Sequence, residues 1–115
     1  MKNELLFDRY MRDPIPARLG NLASSLAAIS RGATSQSRQD DVPRVIDECK
    51  HFIEWTGPET EVEVAAELVR LQVKLAGWQR QWNTIRTEPA RAIEVAREAR
   101  RASDQVLEWS GLLNE

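Results

Sequence analysis

The sequence predicts an all-α fold: an up-down antiparallel helical bundle of four main helices, preceded by a short N-terminal helix. Three observations predict it. All five prolines stand where a helical pattern begins, the position at which a missing amide costs least. Each long segment carries apolar residues at alternating steps of four and three, which keeps one stripe facing its neighbours. No segment alternates apolar and polar residues with the period of two that a half-buried strand needs.

The elements follow in order. "ELLFDRYM" separates apolar from charged residues and reads as a short helix near 3–12, broken at Asp13-Pro14. Without a basic excess it is expected to pack over the bundle end rather than on a membrane surface. The first long helix spans 14–31, with Asp13 as cap, Pro14 at the first position and a seam of Ile15, Leu19, Leu22, Leu26 and Ile29. Gly32 is its expected stop. "GATSQSRQD" over 32–40 is polar and rich in small residues, and reads as a mobile loop.

The second long helix spans 41–55, capped by Asp41 with Pro43 in its first turn, and buries Val42, Val45, Ile46, Cys49, Phe52 and Ile53. The third spans 58–86. Thr56-x-x-Glu59 has the form of a capping box with Pro58 inside it. Its seam is Val64, Leu68, Leu71, Leu75, Trp78, Trp82 and Ile85. The fourth spans 88–112, with Thr87 as cap, then Pro89, and a seam of Ala92, Val95, Ala99, Ala102, Val106, Trp109 and Leu113. Leu68, Leu71, Leu75, Trp78, Trp82 and Trp109 are the expected core of this longest pair. Arg80 falls on the side opposite Trp78 and Trp82, so the indoles do not share a face with a cation as a nucleic-acid stacking platform would require. Short turns at 56–58 and 86–88 imply antiparallel neighbours.

Residues 1–115 make one domain's worth of chain. A net charge of −2 offers no general attraction to nucleic acid or to anionic membrane, so neither is expected as a partner. Without a signal peptide or long apolar run, the expected location is the cytoplasm. Cys49 is the only cysteine. That excludes an intrachain disulfide and a thiolate metal cluster, and the residue reads as a small buried hydrophobe.

Catalytic chemistry is sparse. His51 is the sole histidine, and its Glu48-x-x-His51 step is half of what a di-iron bundle site repeats. "GATSQS" lacks the lysine and second glycine of a phosphate-binding loop. No metal and no cofactor are therefore expected. "RVIDECKH" sets Arg44 seven residues before His51 and resembles the Arg-x4–6-His signature of the HEPN ribonucleases, small helical bundles that act as dimers. The resemblance implies catalysis on RNA by Arg44 and His51. Val45 stands where that family commonly has a polar residue after the arginine. "MRDPIPARLGNLASSLAAI", "HFIEWT" and "AAELVRLQVKLAGWQRQW" resemble small uncharacterised all-helical proteins of cyanobacterial type, which implies a bacterial origin and assigns no activity.

A second apolar row runs along the third long helix: Val62, Ala66, Val69, Val73 and Ala76. Its steps are again four and three, nearly opposite the first seam. A helix apolar on two faces is covered twice, by its own chain or by another. Charge is segregated too. Nine acids lie between Asp40 and Glu67, and six arginines between Arg80 and Arg101, which predicts a rod with one acidic and one basic end. The expected function is non-enzymatic protein association by an adaptor or regulatory bundle, with self-association through that second row into a homodimer. No particular protein partner is indicated. The ribonuclease resemblance is the alternative.

Overall fold

The computed structural model describes residues 2–112, with side chains from residue 4 onward. The described residues form five α-helices and no strand: α1 (Lys2–Met11), α2 (Ile15–Ala33), α3 (Val42–Thr56), α4 (Val62–Ile85) and α5 (Pro89–Ser110). One-turn 3-10 helices at Gln39–Asp41 and Gly57–Glu59 lead into α3 and out of it. Leu113, assigned above to the last seam, lies outside the described residues.

The four long helices close a ring in which α2 packs on α3, α3 on α4, α4 on α5, and α5 back on α2. Hydrogen bonds fix the directions. Ser30 Oγ donates to the Ala96 carbonyl and Ser103 Oγ to the Ala23 carbonyl, both at 2.7 Å. Seven residues forward along α2 are thus seven residues backward along α5, so the pair is antiparallel. A serine reaches a neighbouring helix's backbone only where the two backbones run close. The seam allows this because it is built from Ala23, Ala92, Ala96 and Ala99. Across the ring, Lys50 Nζ donates to Gln79 Oε1 at 3.0 Å, and Gln72 Nε2 to the Lys50 carbonyl at 3.3 Å. These join α3 to α4. The core between the helices is filled by Leu22, Leu26, Ile29, Ile46, Leu68, Leu75, Ile85 and Val106, all fully buried.

α4 and α5 are much longer than α3, and α1 packs beside α3. The chain breaks at Asp13-Pro14, and α1 lies against the C-terminal half of α3. Tyr10 stacks on Phe52, with ring centroids 4.2 Å apart and planes within 3°, and Phe7 meets Trp55 edge-on at 5.1 Å. The buried Tyr10 hydroxyl donates to the Arg18 carbonyl at 3.0 Å and accepts from Thr56 Oγ1 at 2.7 Å. Burial pushes its phenol up to about 12. Arg18 is itself buried and donates to the carbonyls of Met11 and Asp13 and to Glu59 Oε2, at 3.2, 2.8 and 2.9 Å. The guanidinium thereby satisfies carbonyls that the end of α1 leaves without helical partners.

Several expectations fail on local chemistry. None of the proposed caps makes a side-chain cap bond. Asp41 is instead held by Arg44, Thr56 is drawn to Tyr10, Glu59 pairs with Arg18, and Thr87 Oγ1 donates back to the Thr84 carbonyl. The Thr56–Glu59 capping box does not form, and α4 begins only at Val62. Gly32 does not stop α2, which continues to Ala33. It is there for close approach, because a Cβ would sit 2.9 Å from Val42 Cγ2. The only left-handed residue among those described is Gly111, at φ 74°, ending α5.

The segment read as a mobile loop is a stitched turn. Gln39 Nε2 closes onto the Ala33 carbonyl at 2.8 Å, and the Trp82 indole N–H donates to the Gln39 carbonyl at 2.9 Å. Asp40 pairs with Arg86 at 2.6 Å. The molecule measures 38 × 34 × 23 Å and is a slab rather than the expected rod. α1 adds width beside α3, and the expected acidic and basic ends are partly neutralised by the Arg18–Glu59 and Arg86–Asp40 pairs.

Candidate functional site

α4 presents three surfaces, each set by helical spacing. Leu68, Leu75, Trp78, Trp82 and Ile85 turn inward and are buried. Leu71 and, on α5, Trp109 were expected to be core as well, but both are only half-buried. They differ because α4 and α5 stay close near their connecting turn and part beyond it. Trp78 and Trp82 fill the near end, whereas Leu71 and Trp109 sit where the gap has opened.

That gap is a cleft of about 340 Å³ with Leu71, Ala102, Val106 and Trp109 among its lining. Its rim carries charges of both signs. Lys74 reaches Glu98 across it at 3.7 Å, and Arg70 pairs with Glu67 on the same helix. The charges largely compensate one another, so the cleft has no strong preference for an anion or a cation.

The third surface is the outer face of α4, and it carries the second apolar row. Val62, Val69 and Val73 are 81, 58 and 69% exposed. Ala66 is exposed and Ala76 half-buried. Among the described residues, no element covers the three valines. Exposed valines in isolation are ordinary. Three of them on one line, with alanines between, make a continuous apolar strip on the side of the helix farthest from its own core. Glu61 and Glu63 flank Val62, and Arg80 lies at the opposite end of the helix; all three are exposed.

The remaining residues singled out by sequence lie on α3. Arg44 Nε and Nη2 bind both oxygens of Asp41, at 2.7 and 2.9 Å, and Nη1 lies 3.4 Å from Glu48. Hydrogen bonds from Arg44 hold the Asp41 carboxyl below its ordinary value and raise the guanidinium's own. His51 lies two turns further on, about 10 Å along the axis at 1.5 Å per residue. Its Nδ1 is 2.9 Å from the Asp47 carbonyl, and its ring meets Trp55 edge-on at 5.4 Å. Arg44 and His51 thus share none of these partners, and the ribonuclease alternative rests on their spacing alone.

Cys49 is fully buried, and burial pushes its thiol well above the ordinary value. Among the described residues, no three histidine, cysteine or carboxylate side chains gather into a group that could hold a metal ion. No helix among them is long and apolar enough to cross a membrane. Sequence reasoning missed Arg18 altogether, since a lone arginine on a helix carries no signal that its guanidinium will be buried. Compared with protein-family models, with curated proteins and with solved structures, the chain matches none.

Proposed function

We propose that this protein is a non-enzymatic association module, a helical bundle that self-associates through the outer face of α4. The observation that supports this is the strip of Val62, Val69 and Val73, exposed on the face of α4 opposite its buried seam. Covering it with a like strip removes apolar surface from water at about 25 cal/mol per Å². Small and β-branched side chains let two helix backbones come close, and such side chains lose little rotamer freedom when covered.

Light scattering after size exclusion tests the reading. The wild-type chain should run as a dimer at high micromolar concentration. Val69→Glu and Val73→Glu should run as monomers with unchanged far-ultraviolet circular dichroism, because neither position belongs to the chain's own core. A wild-type chain that stays monomeric at every accessible concentration would remove the proposal.

A further inference from the structure

The strip on α4 reads the same in both directions, and that fixes how a second copy would lie on it. Arg80 follows Val62 by 18 residues, about five full turns of helix, so it falls on the line that Val62 begins. The midpoint of that line is residue 71. Reversing α4 about this midpoint places Val69 on Val73, Ala66 on Ala76 and Val62 on Arg80, and returns each pair with the copies exchanged. Every member of the row meets a member of the row, or the arginine that ends it. The sizes match as well, valine with valine and alanine with alanine.

Charge selects the same direction. The N-terminal end of the strip is acidic, with Glu61 and Glu63 exposed on either side of Val62, and its C-terminal end carries exposed Arg80. A parallel pairing in register would set the acids against their own copies and Arg80 against Arg80. The antiparallel pairing sets each Arg80 between the other copy's Glu61 and Glu63. Opposite charges at the rim of an apolar contact orient it and suppress the like-charged alternative.

From this we infer that two copies of the chain pair through α4 in an antiparallel, two-fold arrangement centred near residue 71, with each Arg80 closing on Glu61 and Glu63 of the other copy. This rests on the proposed self-association and adds its direction, its register and its charged latch. Such an interface is isologous, so it closes at two copies and does not propagate into a filament.

Spin-label distances test the direction separately from the association itself. A nitroxide is placed on exposed Gln81→Cys in the full chain, a site outside the latch. Native Cys49 is fully buried, so the label goes to the surface site. In the antiparallel pair the two labelled sites are 20 residues apart along the shared axis, or about 30 Å at 1.5 Å per residue. In a parallel pair only the helix separation of about 10 Å divides them. A dimer by light scattering with the long distance supports the inference. A dimer with the short distance overturns it and leaves self-association standing, whereas a monomer overturns both.

Charge exchange gives an independent reading of the latch. Arg80→Glu replaces attraction with repulsion at both ends of the pair and should weaken the dimer about tenfold. Adding Glu61→Arg and Glu63→Arg to the same chain should restore it, because the antiparallel pair then regains opposite charges at both ends. Circular dichroism checks that the variants fold. Failure of the triple variant to recover affinity, with helicity intact, would overturn the latch.

Discussion

Tyr10 shows how much a single buried polar side chain can organise. Its ring stacks on Phe52, and its hydroxyl links Thr56 at the end of α3 to the backbone of α2. Tyr10→Phe keeps the ring and strands the Thr56 hydroxyl, so it should cost about 1–3 kcal/mol in a denaturant titration. The phenol is held protonated to about pH 12, whereas an unfolded tyrosine ionises near 10. The folded chain therefore binds the proton more tightly. Its contribution is complete below pH 10 and is lost as pH rises through 10 to 12. Thermal melts should show wild type losing stability more steeply than Tyr10→Phe across that window, and equal slopes would disprove it. Thr56 also shows what sequence reasoning cannot see at this scale. Thr56-x-x-Glu59 has the form of a capping box, but both side chains have stronger partners, Tyr10 lying 46 residues away and Arg18 lying 41. Local spacing registers the donor and acceptor types and is blind to competitors brought in by the fold.

Among the elements, α2 and α5 make the closest pair and α4 and α5 the most open. The difference comes from side-chain volume. Alanine and serine along the α2–α5 seam let Ser30 and Ser103 reach across to backbone carbonyls. Ala99 is fully buried, and enlarging it should force the pair apart. Ala99→Leu is expected to destabilise by about 1–3 kcal/mol. Ala66→Leu, on the outer face of α4, should change monomer stability by less than about 0.5 kcal/mol. Chemical denaturation of the two variants, each compared with wild type, checks the contrast. The seams themselves were legible in the sequence, because a period of four and three is a property of consecutive residues. The splaying of α4 from α5 was not, since it depends on which helix lies behind both. That is why Leu71 and Trp109, correctly placed on the seam lines, are only half-buried.

For the whole molecule, the second row of α4 was visible as a spacing, and the fold supplied what the spacing could not: nothing among the described residues covers its valines. Contact through one helix from each copy falls at the small end of protein interfaces, below about 1,200 Å² in total. The proposed dimer should therefore dissociate on dilution, and binding only to the folded state makes the midpoint of melting depend on concentration. Wild type should melt higher as concentration rises, while Val69→Glu should melt at one temperature throughout. A wild-type midpoint that ignores concentration would count against the dimer. The α2–α5 seam carries a different consequence. Ser103 and the carbonyl it binds are 80 residues apart, so the closest helix contact is also among the most distant along the chain. During synthesis α2 emerges before α5 and waits with its small-residue face bare until α5 leaves the ribosome. Contacts of that separation form late and slowly. A nascent chain halted before Ala96 lacks both serine bridges, so α2 gains its closest neighbour only once α5 has been made.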